Sequence, residues 1–291
     1  MGTSTELKHI CFLMDGNRNY AIMENLASSN DNLDYHAYYN GAEALEKLMK
    51  MTFNELKVPY LTVNLIGREN CVKRDSSVRT ITKLVPHFFG DIWIDFFKSN
   101  EIKVKFIGDL ELFCNSSEDP EGLRLEIQKV EKLTQNFNKN HLILMAAYDP
   151  LYEYNTLFVK MHGKFALKIE NLENYNKERE SLVEAYYGFE VPKVNILIRT
   201  WWPKLSALIP ILVGDHADIY LFPAPFELFN ISIYRKIVED YNNRTSSPDV
   251  EELLDKGIDA PIRNYRNEIN NTKPVILGSI INDTWLPFKV D

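Results

Sequence analysis

Short apolar runs alternate with longer amphipathic stretches along most of the chain. The runs are nearly continuous in apolar residues, which is typical of strands buried on both faces of a sheet. They fall at residues 10–14, 60–66, 104–107, 142–148, 194–198 and 219–222. The stretches between them, such as residues 34–53 and 120–136, place apolar residues three and four positions apart and predict helices. Strands that alternate with helices favour an α/β fold, with a mostly parallel six-stranded sheet that helices cover on both faces.

One helical stretch, residues 78–98, is apolar around most of its circumference, which is more than a single buried face requires. Pro86 lies near its middle and predicts a bend, because proline cannot donate the helical hydrogen bond. The large apolar side chains of this stretch are Phe88, Phe89, Ile92, Trp93, Phe96 and Phe97. Two interpretations fit the pattern: a helix buried in the core, or a helix that lines an apolar pocket.

Polar residues follow the predicted strands at their carboxyl ends, where ligands bind in open parallel sheets. These residues are Asp15-Gly16-Asn17-Arg18, Arg68-Glu69-Asn70, Asp109, Asp149 and Arg199-Thr200. At the first group a strand passes through a glycine turn into a helix, whose free amides and dipole attract an anion such as phosphate. Asp15 stands where a carboxylate can hold Mg²⁺ against that phosphate. An ordinary strand-to-helix turn, capped by the aspartate, fits the same residues.

Composition and charge narrow the class of protein. The chain has 291 residues, of which 45% are hydrophobic, and its formal net charge is −8. No basic stripe stands out, so nucleic acid is not an expected partner. No apolar run reaches membrane-spanning length, which leaves at most a peripheral contact with a membrane. Three widely spaced cysteines and an amino terminus without an apolar signal core predict a reduced, cytoplasmic protein.

Residues 9–21 resemble the HxxxxMDGNxRxxA signature of the cis-prenyltransferases, the undecaprenyl diphosphate synthase family. Segments similar to other motifs of this family follow in the same order, at residues 41–45, 61–70, 104–113, 198–206 and 217–221. The resemblance implies a parallel sheet with a helix-lined apolar pocket, and usually a homodimer. It also implies that the chain uses Mg²⁺ to ionise an allylic prenyl diphosphate.

The resemblance implies a role for each matching residue. Asp15 would hold Mg²⁺ and the diphosphate, and Asp218 would replace a glutamate that also binds the metal. The other residues implied in binding the diphosphate are Gly16, Asn17, Arg18 and Asn70. A second diphosphate site is implied at Arg199, Lys204 and Ser206. A strand-edge carboxylate is the alternative for Asp218, and a hydrogen-bonded loop end is the alternative for Asn70.

Several residues depart from the family's pattern, most of them around the second site. Lys204 replaces an arginine and lacks its bidentate fork. The bulky Trp201-Trp202-Pro203 replaces a small glycine turn, and the carboxyl-terminal RxxRxG element is missing. In its length and carboxyl-terminal half, the chain is similar to the diterpene synthases of the tuberculosinol synthase (tuberculosinyl adenosine transferase) and kolavelool synthase type. These enzymes ionise a finished bicyclic diterpenyl diphosphate and quench the cation without elongating it.

The likeness to these diterpene synthases implies catalytic roles for Asp15, Arg18 and Tyr35. Tyr35 lies where the elongating enzymes carry a phosphate-binding arginine, and Tyr38 follows it closely. An aromatic ring stabilises a nearby cation, and a phenol can relay a proton to the departing diphosphate. We therefore expect both tyrosines to be catalytic, with a packed surface aromatic as the alternative for Tyr35.

We predict a catalytic domain at residues 1–245 and an extension at residues 246–291 that packs on it. The predicted function is a Mg²⁺-dependent terpene synthase that ionises a preformed allylic diphosphate, such as a bicyclic C20 diterpenyl diphosphate. Water, proton loss or another nucleophile would quench the cation. Two alternatives stay open: a chain-elongating enzyme that uses isopentenyl diphosphate, and a non-catalytic subunit. The retained Asp15, Asn17 and Arg18 disfavour the subunit.

Overall fold

The structure is a computed structural model. It describes residues 6–26, 30–73, 75–161, 172–204, 207, 209–213, 217–243, 279–281 and 284–286. Six of its strands are β1 (His9–Leu13), β2 (Tyr60–Gly67), β3 (Ile102–Ile107), β4 (Asn140–Tyr148), β5 (Ile196–Thr200) and β6 (Asp218–Phe222). They form one sheet in the order β3-β4-β2-β1-β5-β6, and every neighbouring pair is parallel. The predicted α/β fold with a six-stranded sheet is therefore confirmed.

Helices connect the strands, as the sequence predicts. The α-helices described are α1 (Asn17–Met23), α2 (Asn30–Lys50), α3 (Arg68–Lys73), α4 (Asp75–Val85), α5 (Ile94–Ser99), α6 (Leu110–Asn115), α7 (Pro120–Thr134), α8 (Pro150–Met161), α9 (Leu172–Tyr187), α10 (Pro210–Val213) and α11 (Ile231–Asn243). Two π-helical segments, Met51–Glu55 and Pro86–Ile92, and a 3-10 turn, Phe226–Leu228, complete the set among the described residues.

The apolar stretch around Pro86 is interrupted where the sequence predicts a bend. Helix α4 ends at Val85, a π-helical segment begins at Pro86, and α5 starts at Ile94. The rings of Phe88, Phe89, Trp93 and Phe97 are buried and contact one another; the centroids of Phe89 and Trp93, for example, are 4.7 Å apart. This stretch therefore contributes to the core. Part of it also lines a pocket, as described below, so both interpretations of its pattern hold.

The two faces of the sheet carry different cores, because successive side chains of a strand point to opposite faces. On one face, Phe12 of β1 packs edge-to-face against Phe226, Phe229 and Tyr234, and its ring lies 4.8 Å from that of Phe229. On the other face, Cys11, Leu13, Ile143, Met145 and Leu197 of the sheet pack against Val183 and Tyr187 of α9 and Leu212 of α10. Strands β1, β4 and β5 are thus buried on both faces, which explains their continuous apolar runs.

The chain divides into two compact units, residues 7–234 and residues 1–6 with 235–291. The first contains the whole parallel sheet. The described strands of the second, β7 (Ser279–Ile281) and β8 (Thr284–Leu286), pair antiparallel. Most of the predicted extension, including residues 244–278, lies outside the described residues, so the domain boundary at residue 245 stays a prediction. No helix in the described ranges combines the length and apolarity needed to cross a membrane.

Candidate active site

The loop after β1 is fixed to the neighbouring strand β5 by a pair of hydrogen bonds. The backbone N–H of Asp15 donates to the Thr200 hydroxyl at 2.8 Å, and that hydroxyl donates to the Asp15 carbonyl oxygen at 2.8 Å. The Gly16 N–H donates to the Asp15 Oδ1 atom at 2.8 Å. The Asp15 carboxylate is thereby oriented before any ligand arrives.

Gly16 is required at the turn by its backbone geometry. Its φ is +96°, a left-handed value that other residues rarely adopt. A Cβ atom at this position would lie only 2.8 Å from the Pro225 Cα atom, so the loop approaches a second backbone closely. Helix α1 starts at the next residue, and no side chain caps its first turn. The strand, glycine turn and helix predicted here are therefore present.

A buried arginine lies beneath the Asp15 carboxylate. The Nη2 atom of Arg199 is 2.5 Å from the Asp15 Oδ2 atom, and its Nε donates to the Trp202 carbonyl at 3.0 Å. Arg199 is only 4% exposed, whereas the Asp15 side chain is 41% exposed. Burial lowers the pKa of the guanidinium, and the Asp15 carboxylate partly offsets this. Arg199 and Thr200, which the sequence pattern placed after the strand, are the last two residues of β5.

The single exposed carboxylate of Asp15 suits Mg²⁺, because this ion keeps several waters and binds one or two carboxylates plus substrate phosphates. Within the described residues, no cluster of three or more histidine, cysteine, aspartate or glutamate side chains offers a fuller metal site. Asp15 would therefore share the ion with the substrate's diphosphate.

Asp218 does not join Asp15 in this chain. It is the first residue of β6, and the strand register aligns it with Ile196 and Ile10. Ile10 precedes Asp15 by five residues, which corresponds to about 16 Å along the strand direction. Within one chain the register therefore keeps the two carboxylates apart, and the metal-binding role of Asp218 stays a prediction.

Arg18 and the segment around Tyr35 come together beside the loop. The Arg18 Nε atom is 3.0 Å from the Oδ1 atom of buried Asp34. Tyr35, which follows Asp34 on α2, is 51% exposed, and its ring stacks on that of Tyr39 at 5.8 Å. The Tyr35 side chain is thus half-exposed, whereas its neighbour Asp34 is buried, and the catalytic role of Tyr35 stays a prediction.

An apolar pocket opens next to the loop. Its enclosed part is small, about 70 Å³, and the pocket is open to solvent at its mouth. The lining residues are Met14, Asn17, Tyr38, Gly41, Ala42, Leu45, Asn64, Leu65, Ile81, Leu84, Val85, Phe88, Phe89 and Trp93. Helix α2 and the stretch around Pro86 thus form its walls, and Asn17 of the loop and Tyr38 reach it. The described residues therefore form a helix-lined apolar pocket, and its use for the hydrocarbon of a substrate stays a prediction.

The remaining residues predicted to bind a diphosphate do not share the buried, fixed position of Arg199. Lys204 is exposed, and its Nζ atom lies 5.9 Å from the ring centroid of Trp202. Trp201 is buried and adopts a positive φ of 65°. Ser206 lies outside the described residues. Asn70 lies in the first turn of α3, beyond the carboxyl end of β2.

Sequence reasoning missed Glu227, which belongs to the 3-10 turn before α11. Its carboxyl oxygens are buried near Asn17, and desolvation followed by the nearby Asp15 charge raises the pKa of this carboxyl to about 7. No motif could have indicated it, because Glu227 and Asn17 are far apart along the chain and meet only in the fold.

Comparison with known proteins identifies the class. Residues 13–247 match the model of the Prenyltransf family, described as "Putative undecaprenyl diphosphate synthase". The match covers most of the chain, so this protein belongs to that prenyltransferase family. It is similar to the isoprenyl transferase of Rickettsia typhi, with 27% identity over 82% of this chain and 96% of that one. It is also 27% identical to dehydrodolichyl diphosphate synthase 1 of Arabidopsis thaliana, over 66% of this chain and 59% of that protein.

Solved structures agree on the fold. Lavandulyl diphosphate synthase from Lavandula x intermedia, solved with dimethylallyl diphosphate, superposes with a TM-score of 0.66 and 18% identity, covering 82% of this chain and 97% of that one. A probable undecaprenyl diphosphate synthase from Campylobacter jejuni superposes with a TM-score of 0.61 and 20% identity, covering 84% and 98%. The family predicted from the sequence is confirmed. The closer likeness to tuberculosinol and kolavelool synthases stays a prediction.

Proposed function

We propose that this family member is a Mg²⁺-dependent terpene synthase with a single diphosphate substrate. It ionises a preformed allylic prenyl diphosphate, of which a bicyclic C20 diterpenyl diphosphate is the favoured case, and the cation is quenched by water, by proton loss or by another nucleophile. The main support is the state of Arg199. This arginine would bind a second diphosphate in an elongating enzyme, but here it is buried and engaged by Asp15 and Trp202.

The arrangement of the described residues supports each step of this reaction. The loop from Asp15 to Arg18 offers the diphosphate an anchored carboxylate, backbone amides and a guanidinium. The adjoining pocket offers an apolar surface for the hydrocarbon. Mg²⁺, when bound at Asp15, would neutralise negative charge on the departing diphosphate. Asp15 thus orients the leaving group, while the pocket keeps the cation away from bulk water.

Aromatic side chains of the pocket suit a carbocation. Tyr38, Phe88 and Trp93 line the wall, and an aromatic face stabilises a nearby cation by about 0.5–2 kcal/mol. Tyr38 is therefore better placed than the half-exposed Tyr35 to contact the cation. A role for the Tyr35 hydroxyl would be proton transfer at the pocket's outer edge.

A second candidate is chain elongation with isopentenyl diphosphate. It is favoured by the similar proteins, several of which are named isoprenyl transferase, and by the presence of Arg199 and Asn70 at strand ends. Elongation would require Arg199 to exchange its Asp15 contact for a diphosphate. It would also require the exposed Lys204 to take the place of an arginine.

One experiment separates these candidates. The protein is incubated with Mg²⁺ and geranylgeranyl, farnesyl or bicyclic diterpenyl diphosphate, with and without isopentenyl diphosphate, and products are analysed by mass spectrometry. Diphosphate release and a terpene product without isopentenyl diphosphate would support the proposal. Products that require isopentenyl diphosphate and are longer than the primer would show elongation instead. No turnover of any substrate would favour a non-catalytic subunit.

We also propose that the protein is a cytoplasmic homodimer, as the family resemblance implies. The edge strand β6 supports a dimer, since Ile219 and Leu221 expose apolar surface on one of its faces. Such exposed apolar positions on a sheet edge favour association. Sedimentation equilibrium would give twice the monomer mass if this is correct.

A further inference from the structure

A short segment outside the sequence motifs, residues 225–227, packs against the loop of residues 15–18 that is proposed to bind the diphosphate. The Phe226 N–H donates to the Asp15 carbonyl oxygen at 3.1 Å. Pro225 packs so closely on Gly16 that its Cα would be 2.8 Å from a Cβ added there. We call residues 225–227 the brace. Its third residue, Glu227, lies near Asn17, the loop residue that follows Gly16.

The Asn17 amide is confined between two residues. A Cβ added to Gly41 would lie 2.1 Å from the Asn17 Nδ2 atom and 3.7 Å from the Glu227 Oε1 atom. The amide therefore occupies the space that a side chain at position 41 would fill, and the Glu227 carboxyl lies near the same space. Asn17 and Gly41 both line the apolar pocket. The amide thus stands where the loop meets the pocket.

The Glu227 carboxyl lacks a strong partner of its own. Its two oxygens are buried, and neither forms a hydrogen bond of good geometry within the described part of the chain. The charged and titratable groups that act on it are Asp15, which disfavours its ionised form, and Tyr20, whose own pKa is raised partly by Glu227. The Asn17 amide favours the ionised form through its N–H groups. Buried polar groups are normally hydrogen-bonded, so a buried carboxyl with so few partners calls for an explanation.

We propose that Glu227 is a positioning residue, which holds the Asn17 amide at the diphosphate end of the pocket. Glu227 acts through Asn17 and does not contact the substrate. Gly41 leaves room for the Asn17 amide, and the backbone of the brace is fixed by its hydrogen bond to Asp15. Together they favour the observed position of the amide. This inference rests on the proposed function, in that Asn17 is taken to contact the diphosphate.

The test measures binding of inorganic diphosphate with Mg²⁺ by isothermal titration calorimetry. Glu227→Ala and Asn17→Ala should each weaken binding about tenfold, since the first leaves the amide unpositioned and the second removes it. The double variant should bind no more weakly than either single variant, because both changes remove the same interaction. Glu227→Gln should bind within about twofold of the unchanged protein, since an amide oxygen can still accept from Asn17. Gly41→Ala should resemble Asn17→Ala, because the added Cβ displaces the amide.

Two readouts separate positioning from a general loss of structure. Glu43→Gln, which alters an exposed carboxyl on α2 near the loop, is the matched control and should leave binding unchanged. The side-chain amide signal of Asn17 in a selectively ¹⁵N-labelled protein should shift in Glu227→Ala and return in Glu227→Gln. Additive effects of Glu227→Ala and Asn17→Ala, or an unshifted amide signal, would overturn the inference. Because binding of inorganic diphosphate requires no turnover, failure of the proposed reaction would be recognised separately.

Discussion

Two corners at the carboxyl edge of the sheet carry the residues that a prenyl diphosphate enzyme needs, but they are built differently. The aspartate corner, residues 15–18, is anchored on two sides, by the Thr200 hydroxyl and by the brace. The tryptophan corner, residues 201–204, carries an exposed lysine over an indole ring. Its neighbouring arginine is directed into the aspartate corner.

The difference indicates which corner is preorganised to bind an anion. An anion that enters the aspartate corner meets groups already held in place, so little conformational entropy is lost on binding. An anion at the tryptophan corner would have to order a lysine side chain and separate a buried ion pair. Separating such a pair leaves a buried charge without its partner, which is costly. The comparison therefore favours one diphosphate over two, and the following changes test it.

The largest expected effect comes from the aspartate corner. Asp15→Asn should lower kcat by about 10³-fold, because it removes the charge that holds Mg²⁺ against the diphosphate. The measurement is single-turnover diphosphate release at saturating substrate. Asn is preferred to Ala, since Ala would also leave the buried Arg199 without any side-chain acceptor in place of the Asp15 carboxylate and lower the stability of the fold.

The matched control is Asp218→Asn, at the amino end of β6. Within one chain this residue lies far from Asp15, so kcat should change little. If Asp218→Asn lowers activity as much as Asp15→Asn, then Asp218 binds the metal ion, and it does so from the second protomer of a dimer.

A change of intermediate size concerns the backbone of the same corner. Gly16→Ala should lower the free energy of unfolding by about 1–3 kcal/mol, because alanine is strained at a φ of +96° and its Cβ meets Pro225. Gly67→Ala, at the end of β2, is the control: its Cβ would have ordinary contacts, the nearest at 3.7 Å, so stability should hardly change. Chemical denaturation of both variants gives the comparison, and equal losses would argue against a strained loop.

The sequence predicted the strands and the aspartate corner well, because both depend on local patterns. A continuous apolar run marks β1, and Asp15-Gly16-Asn17 marks the turn after it. Contacts between distant segments could not be predicted in this way. Glu227 and Asn17 are far apart along the chain and lie close together only in the folded structure. The distance between Asp218 and Asp15 within one chain could not be predicted either, because an apolar run reveals a strand but not its register, and the register decides at which edge a residue lies.

A smaller effect is expected at the pocket wall. Tyr38→Leu should lower kcat about tenfold, because it keeps apolar volume but removes the aromatic face that stabilises a cation. Tyr35→Leu, three residues earlier and half-exposed, should change kcat by less than about threefold if only the ring matters. Steady-state kinetics on both variants decides between them. If Tyr35→Phe alone lowers kcat a hundredfold while substrate affinity stays constant, the Tyr35 hydroxyl acts as the proton relay.

The smallest expected effect tests the tryptophan corner directly. Lys204→Ala should change kcat/KM by less than about twofold, because an exposed lysine over an indole ring contributes little and its contacts are screened by water. Arg18→Ala, the corresponding cation of the aspartate corner, should raise KM clearly more, since Arg18 is already oriented by its ion pair with Asp34. The ratio of the two kcat/KM losses, measured in the same assay, reports how unequal the corners are. A loss for Lys204→Ala as large as that for Arg18→Ala would mean that a second diphosphate binds there, and the elongating reaction would then become the better account of this enzyme.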